Sequence, residues 1–589
     1  MNYKLDQDQE KSPRSTWSTV RSLLGFLGDE KKILIYAGLV SVVNSGVNLV
    51  APLVIAYVID TYIVTKEFSG VLTFGGILLG LYGVGLVTSY FQTRLMGGVG
   101  QRVLFKLRNN LFQKLQSLPV AFFDANKTGD LISRINNDTD KLNQFFSRTL
   151  VSFFSSAVVM VGAAGFMLVL NVKLAVAALL PVVFLIVFTQ LVSPWIKRTN
   201  SSAAKATGEL SAEISESIAN FKVIVAFNQR EFFKNNFAQA NQTNYTKAIS
   251  AGIANQTFGP VFEFASYASQ LVVLLYGVYL ISGGELTIGL LIGFLVYVSN
   301  FYDPLRQLAS LWANLQVALA SWDRIAVILS MKNTLTFLTP TGSDKQTLNP
   351  TPVLEFSDVS FGYDESKLVL SDINISLLAG KTYALVGPTG GGKTTTALLM
   401  ARLYDPSQGT VLLNGRDIRE YSNEERTQKI SFILQEPILF SGSIRENLLY
   451  GNEVYADYSD AAFTQVIQDH GLQNLLNRFE EGLHTKVDNS SSAISLGQKQ
   501  LITFMRSILR QPEVLILDEA TANIDTVTEQ ILEEVLTQLP QKTTRIIIAH
   551  RLNTIENADE IFFVNAGHIT NAGSMEQALK MLADGVRSS

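Results

Sequence analysis

The chain has 589 residues, enough for about two to four domains, and its 47% hydrophobic but only 17% charged residues argue against a wholly soluble protein. Lys and Arg number 47 against 51 Asp and Glu, so the net charge of −4 gives no reason to expect nucleic acid as a partner. Because the chain contains no cysteine, the sequence excludes a disulfide framework, a thiolate metal site and a cysteine nucleophile.

The first 30 residues are polar except for one amphipathic stretch at residues 17–27. They do not combine a short apolar core with a small-residue cleavage site, which is the pattern of a secretory signal. We therefore predict a cytoplasmic segment at residues 1–30, in which the amphipathic stretch forms an elbow helix at the membrane interface.

Six apolar runs follow, each close to the roughly 20 residues that a helix needs to cross a bilayer. They cover approximately residues 33–58, 70–93, 149–170, 172–194, 258–281 and 286–307. The alternative, buried helices of a large soluble protein, fits poorly, because residues 157–192 contain only Lys173 as a charge. We predict an all-α transmembrane domain of six helices at residues 31–330.

Basic residues are concentrated in two long connections between these runs, at residues 94–148 and 197–247. The alternate connections are short and carry few Lys or Arg, so the positive-inside rule places both termini in the cytoplasm. The long connections also have heptad-like apolar spacing. This spacing predicts that the membrane helices continue into the cytoplasm before the chain folds back.

A stretch rich in Thr, Pro, Asn and Ser at residues 331–352 predicts a linker, and residues 353–589 resemble an ordinary α/β domain. Apolar, β-type runs occur in this domain at residues 382–386, 514–517 and 545–548, separated by helical stretches. They predict a mostly parallel sheet that binds ligands beyond the carboxyl ends of its strands.

The strongest motif follows the first of these strands and matches GxxxxGK[ST], with a helix-forming run after it at residues 395–403. Its glycines allow backbone N–H groups to surround phosphate oxygens, Lys393 reaches the β and γ phosphates, and Thr394 binds Mg²⁺. The motif predicts an ATP site of the P-loop NTPase class. The predicted ATP-binding residues here are Gly387, Pro388, Thr389, Gly390, Gly391, Gly392, Lys393, Thr394 and Thr395.

Two acidic residues, Asp518 and Glu519, end the second apolar strand. With the phosphate loop upstream, we predict that Asp518 holds the Mg²⁺ shell and that Glu519 polarises the attacking water. His550 follows the third strand, where it could contact the γ-phosphate and sense its loss. From the residues alone, a purely structural role for His550 is an equally good interpretation.

With these motifs in place, the chain resembles an ATP-binding cassette (ABC) transporter, namely an exporter-type half-transporter, over nearly its whole length. The resemblance implies that Tyr363 stacks on adenine and that Gln435 joins Mg²⁺ and the attacking water to the membrane domain. It also implies that Asp525 contacts the other subunit across a dimer interface. His550 corresponds to the family's switch histidine, a catalytic residue that contacts the γ-phosphate.

Two stretches of the membrane half resemble the cytoplasmic coupling segments of this family. Phe123 and Asp124 belong to the first, near residues 119–130, and Arg230 and Glu231 belong to the second, near residues 227–234. The plainer interpretation of both stretches is a solvated amphipathic loop.

The signature segment departs from the family pattern LSGGQ. Ser495, Gly497 and Gln498 keep the donors that would cap a γ-phosphate of the other subunit, but Leu496 replaces a glycine. An altered signature beside intact residues for hydrolysis predicts one half of a heterodimer whose partner carries the intact signature. A homodimer and neutral drift at Leu496 are the alternatives.

The resemblance implies ATP-driven transport by alternating access, with ATP and Mg²⁺ as cofactors, in a bacterial inner membrane. The predicted partners are a second half-transporter, the lipid bilayer and a small-molecule, lipid or peptide substrate, with no nucleic acid. The few charges within the spans favour export of an amphipathic or apolar compound. There are two alternatives. The chain could import a metal–chelator complex such as a siderophore, or it could be an ATP-gated channel or a regulatory subunit.

Overall fold

The computed structural model describes residues 3, 5, 16–26, 28–332, 335, 337–338, 352–364, 367–488, 494–518, 526–537, 539–548 and 557–583. The chain divides into two compact units. The helical unit comprises residues 7–116 and 129–330, and the sheet unit comprises residues 1–6, 117–128 and 331–589. Most of the predicted linker at residues 331–352 lies outside the described residues.

Six helices of the described chain are long and apolar enough to cross a membrane, which confirms the predicted count. They are α2 (Lys31–Ile63), α3 (Phe68–Gln116), α5 (Thr128–Leu170), α6 (Val172–Ala219), α8 (Arg230–Ser282) and α9 (Ile288–Ser330). Three shorter helices are α1 (Thr16–Phe26), where the amphipathic stretch predicts a helix, α4 (Val120–Ala125) and α7 (Phe221–Ala226).

Helix α3 shows how one sequence serves two environments. Its first half is apolar and contains no buried residue between positions 68 and 91, as expected of a segment that meets lipid. Its second half buries a single stripe at the spacing of three and four residues that a helix–helix seam requires. The stripe consists of Gln92, Met96, Val99, Gly100, Val103, Leu104, Leu107, Leu111 and Leu115. The predicted continuation of the membrane helices beyond the span is therefore present.

Several polar side chains within the spans bind neighbouring helices. The Tyr302 hydroxyl and the Ser269 hydroxyl both donate to the Ala178 carbonyl, at 2.9 and 2.7 Å. The Gln92 amide donates to the Ser155 hydroxyl at 3.0 Å, and the Asn300 amide donates to the Asn48 carbonyl at 3.2 Å. These bonds join helices, because a polar group in hydrocarbon needs a partner there.

The described residues of the sheet unit form three sheets. An antiparallel sheet has the order β2 (Leu370–Leu378), β1 (Pro352–Phe361), β4 (Gln408–Leu413), β5 (Arg416–Asp417). The central sheet has the order β12 (His568–Asn571), β11 (Glu560–Asn565), β3 (Thr382–Val386), β10 (Thr544–Ile548), β9 (Val514–Asp518), β6 (Ile430–Ile433). A small ribbon pairs β7 (Gly442–Ser443) with β8 (Lys486–Val487).

The helices of the sheet unit surround these strands. They are α10 (Lys393–Met400), α11 (Asn423–Lys429), α12 (Ile444–Leu449), α13 (Asp460–Asp469), α14 (Gln473–Leu476), α15 (Leu496–Ile508), α16 (Thr526–Thr537) and α17 (Met575–Ala583). Every residue of β3 and β9 is buried, as expected of inner strands with helices on both faces. The fold class is the predicted one, a six-helix membrane domain followed by an α/β domain.

The central sheet brings distant parts of the sequence to one edge. Strands β11, β3, β10, β9 and β6 run parallel, as predicted, and only β12 is antiparallel. Leu385, Ile548 and Asp518 lie side by side in register near the carboxyl ends of β3, β10 and β9. The residues that follow these strands therefore start from a common edge of the sheet.

Candidate nucleotide-binding site

The loop between β3 and α10 has the backbone conformation that its glycines permit. Gly387 and Gly392 have φ angles of 146° and 113°, in a region that residues with side chains rarely adopt. A Cβ atom at Gly387 would lie only 2.0 Å from the Val564 carbonyl oxygen, so the backbone of β11 closely backs the loop. The loop is a compact turn that leads directly into a helix N-terminus.

Lys393 and the three threonines after it differ in their exposure to solvent. Lys393 is 6% exposed, and its ammonium group donates to the Gly387 and Pro388 carbonyls, at 2.8 and 3.1 Å. Thr395 and Thr396 are buried, whereas Thr394, between them and the lysine, is exposed. The loop thus presents an ammonium group, helix N–H groups and one open hydroxyl, a donor set that fits a polyphosphate with its cation.

The three predicted Mg²⁺ ligands are a hydroxyl, a carboxylate and an amide oxygen, all hard donors of the kind that Mg²⁺ prefers. Asp518 is the last residue of β9 and is buried. Gln435 is exposed, two residues beyond the end of β6. Thr394 is exposed in the helix that follows β3, and β10 lies between β3 and β9 in the sheet. The donor types and their common edge of the sheet fit a magnesium site.

Tyr363 presents an aromatic face next to the phosphate loop. Its side chain is 53% exposed, its ring packs edge-to-face on Phe361 at 5.0 Å, and its hydroxyl lies 3.0 Å from the Thr395 hydroxyl. Partial burial raises the pKa of the Tyr363 phenol above its ordinary value, against the opposing effect of the Thr395 hydrogen bond, so the hydroxyl stays protonated. A flat nucleobase can stack on the open face of this ring.

Removing the ring by Tyr363→Ala is expected to weaken ATP binding about tenfold, since base–aromatic stacking contributes about 1–3 kcal/mol. Equilibrium titration with ATP measures the change. Tyr363→Phe keeps the ring and loses only the hydroxyl contact with Thr395, so most of the affinity should return. An alanine variant that binds ATP as tightly as the wild type would remove Tyr363 from the site.

The altered signature segment begins helix α15. Ser495 caps the helix: its hydroxyl accepts from the Gln498 N–H at 3.2 Å, and the Gln498 side chain accepts from the Ser495 N–H at 3.0 Å. Leu496 is the first helical residue and is 47% exposed. Leu496 does not have a left-handed φ angle, so the helix itself is not strained by this residue. Its side chain would instead hinder the close approach of another surface to this end of the helix.

Three of the predicted catalytic and interface residues, Glu519, Asp525 and His550, lie outside the described residues. Two of them follow described strands directly in the sequence. Glu519 is the residue after Asp518, and His550 comes two residues after Ile548. Their assigned roles therefore stay predictions from the sequence.

The first predicted coupling segment lies in the sheet unit. Phe123 is 43% exposed on α4, and its neighbour Asp124 accepts a hydrogen bond of 2.5 Å from the Tyr404 hydroxyl. The Asn126 amide donates to the Tyr3 carbonyl at 2.8 Å, and its oxygen accepts from the Leu5 N–H at 3.1 Å. The segment is thus a structured element with specific partners.

The second predicted coupling segment lies in the helical unit, between α7 and α8. Arg230 and Glu231 form the first turn of α8, and both are exposed. The Lys234 ammonium donates to the Glu231 carboxylate at 3.5 Å. Phe227 is 73% exposed, so this end of the unit presents an aromatic ring beside charged groups.

The sequence does not predict a functional role for Tyr404, although its hydroxyl donates a hydrogen bond to the Asp124 carboxylate. The two residues are 280 positions apart, and no pattern connects them. The only local signal is the turn-forming sequence Tyr404-Asp405-Pro406 after α10. A turn signal gives no information about the partner.

A glycine-rich phosphate loop at the carboxyl edge of a mostly parallel sheet defines the soluble part as a nucleoside-triphosphate-binding domain of the P-loop class. Comparison with known families gives the particular family. The profile described as the ABC transporter transmembrane region matches residues 34–305, and the profile described as ABC transporter matches residues 370–522. Both occur here in a single chain.

Relatives match over most of the chain. An uncharacterized ABC transporter ATP-binding protein of Bacillus subtilis is 32% identical over 96% of this chain and 93% of its own. A fatty acid ABC transporter ATP-binding/permease protein of Mycobacterium tuberculosis is 30% identical over 87% of this chain and 80% of its own. A multidrug resistance ABC transporter ATP-binding and permease protein of Lactococcus lactis is 30% identical over 84% and 83%.

The chain therefore belongs to the ABC transporter family. It is a multi-pass membrane protein in which a six-helix membrane region and an ABC ATPase domain are fused, the arrangement of a half-transporter. An ATPase domain of this family implies that ATP hydrolysis is coupled to transport, and half-transporters of this family act as dimers. The predicted family resemblance is confirmed.

Proposed function

We propose that this chain is one subunit of an ATP-driven exporter of amphipathic or apolar compounds in a bacterial inner membrane, with both termini in the cytoplasm. The observation that carries the proposal is a fully formed phosphate loop in the same chain as six helices of membrane-crossing length. The names of two relatives refer to fatty acids and to multidrug resistance, which favours this class of cargo.

The described residues of the nucleotide site have roles that their positions support, and the roles of Glu519 and His550 rest on the sequence. Tyr363 stacks on the adenine, the loop N–H groups and Lys393 hold the phosphates, and Thr394, Asp518 and Gln435 orient the cation. When bound, Mg²⁺ neutralises charge between the β and γ phosphates. Glu519 accepts the proton of the attacking water, and His550 contacts the γ-phosphate. Gln435, two residues beyond the edge strand β6, would report the state of the phosphates to the coupling segments.

The signature segment acts on the nucleotide of a second subunit. Ser495, Gly497 and Gln498 sit at the start of α15, whose N–H groups suit a γ-phosphate. Asp525, seven residues after the end of β9 in the sequence, would meet the same interface. Two bound ATPs would close the nucleotide domains, the coupling segments would transmit this closure to the membrane helices, and hydrolysis would reset them.

We favour a heterodimer because the signature segment departs from the family pattern at Leu496, which is exposed in the first turn of α15, while the sequence keeps the residues needed for hydrolysis. In a heterodimer Leu496 serves the partner's site, so Leu496→Gly should change ATP turnover of the complex by less than about twofold. Turnover in nanodiscs, with the mass of the complex measured on the same sample, tests this expectation. A complex containing only this chain, with turnover raised several-fold by Leu496→Gly, would replace the heterodimer with a homodimer.

Transport itself is tested in proteoliposomes with outward-facing nucleotide domains, using a fluorescent fatty acid and a fluorescent amphipathic cation as probes. The proposal expects ATP-dependent accumulation of at least one probe inside the vesicles. The Glu519→Gln protein should show none. Accumulation that is equal with and without ATP for both probes would contradict export of this class of compound.

A further inference from the structure

Three aromatic rings of the sheet unit lie between the base-stacking face and the first coupling segment. Phe361, Tyr363 and Tyr404 pack edge-to-face on one another, with ring centroids 5.0 to 5.5 Å apart and interplanar angles of 69 to 90°. Rings in this geometry are in mutual van der Waals contact and are electrostatically matched. A displacement of one ring in such a cluster must move its neighbours.

Each end of this cluster is held by one polar contact. The Tyr363 hydroxyl lies 3.0 Å from the hydroxyl of Thr395, in the first turn of the phosphate-loop helix. The Tyr404 hydroxyl donates to the Asp124 carboxylate of α4 at 2.5 Å. Both contacts lie within the sheet unit, to which residues 117–128 belong.

The chemistry at Tyr404 makes its contact directional. Tyr404 is 9% exposed, and burial together with the hydrogen bond to Asp124 raises the pKa of its phenol well above the ordinary value. The phenol therefore keeps its proton and donates, while the carboxylate can only accept. A hydrogen bond to an ionised acceptor is stronger than a neutral one, so this contact is suited to hold α4 in place.

We infer that Tyr404 is a positioning residue that links the base-binding face of Tyr363 to the first coupling segment through its hydrogen bond to Asp124. The inference rests on the proposed function, since it assumes that a nucleobase stacks on Tyr363. A stacked base restricts the Tyr363 ring, the ring edge fixes Tyr404, and the Tyr404 hydroxyl fixes α4. The link uses direct contacts only and does not involve Glu519, Asp525 or His550.

Hydrogen–deuterium exchange of the full chain in lipid nanodiscs, with and without Mg-ATP, tests the link. Two peptides are followed: residues 387–396 report nucleotide binding, and residues 119–126 report the coupling segment. Tyr404→Phe removes only the donor, and Asp124→Ala removes only the acceptor, which is an exposed side chain. Tyr421→Phe is the matched control, because it removes another buried tyrosine hydroxyl bond of this unit, to the Leu413 carbonyl at 2.8 Å.

In the wild type and in Tyr421→Phe, we expect Mg-ATP to slow exchange in both peptides. In Tyr404→Phe and Asp124→Ala the slowing at residues 387–396 should remain, and the slowing at residues 119–126 should fall about tenfold, the effect expected from losing a hydrogen bond to a charged group. If Tyr404→Phe does not fold, Asp124→Ala decides the question.

Two results would overturn the inference alone: ATP-dependent slowing at residues 119–126 that persists in both variants, or its absence from the wild type while residues 387–396 respond. If residues 387–396 of the wild type do not respond to Mg-ATP, the proposed function fails, and the inference fails with it.

Discussion

Replacing Lys393 with methionine is expected to lower ATP turnover about 100- to 1000-fold, the usual cost of losing one preorganised charge that stabilises a transition state. Methionine keeps much of the length and apolar volume of the side chain. It removes the ammonium group that lies 2.8 Å from the Gly387 carbonyl in the phosphate loop. Steady-state ATP hydrolysis of the purified complex in nanodiscs measures the loss.

The matched control is Lys381→Met, which removes a lysine charge at the opposite end of the same strand. Lys381 precedes β3 and pairs with the Glu560 carboxylate at 2.7 Å. Its loss should leave turnover within about twofold, because a solvent-exposed ion pair contributes little to stability. Equal losses in the two variants would indicate a general effect of charge removal and would contradict the role of Lys393.

Glu519→Gln is expected to lower the turnover rate about 1000-fold and to leave ATP affinity nearly unchanged, because an amide cannot accept the proton of the attacking water. Removal of a negative charge next to the phosphates does not weaken binding. Single-turnover hydrolysis and ATP binding, measured on the same preparation, separate the two quantities. Retention of most of the turnover would assign the base to another residue.

Glu513→Gln provides the control for this variant, because Glu513 directly precedes β9, the strand that Glu519 follows. Although burial opposes it, the hydrogen bonds from Lys429 and Asn414 lower the pKa of the Glu513 carboxyl, so Glu513 is a charged glutamate at the other end of the strand. Its neutralisation should affect stability and leave the chemical step unchanged.

Features that depend on local sequence could be predicted. Apolar runs of bilayer length gave all six membrane helices, because a span must satisfy its backbone internally and must be apolar throughout. Strand β3 occupies residues 382–386, as predicted, since a buried parallel strand is a continuous apolar run. The helix after the phosphate loop was misplaced: it begins at Lys393 and ends at Met400, where residues 395–403 were expected. The chain turns at Arg402, whose φ angle is 51°.

Contacts between distant positions could not be predicted. The resemblance indicated Asp124, but its partner Tyr404 is identified only in the folded sheet unit, which contains both residues. The sequence alone did not show whether the polar residues of the spans line a cavity or bond to neighbouring helices. In the structure, Gln92 and Tyr302 form hydrogen bonds between helices. Pairing of this kind depends on tertiary geometry, which a single sequence does not encode in any local pattern.

The most direct test of the central claim is equilibrium binding of ATP to the full-length chain in lipid nanodiscs, with and without Mg²⁺. This measurement does not depend on the identity of the second subunit. The account predicts saturable, Mg²⁺-dependent binding of one ATP per chain, lost in Lys393→Met and retained in Lys381→Met. A folded wild-type chain that binds no ATP, or that binds it equally well after Lys393→Met, would contradict the account.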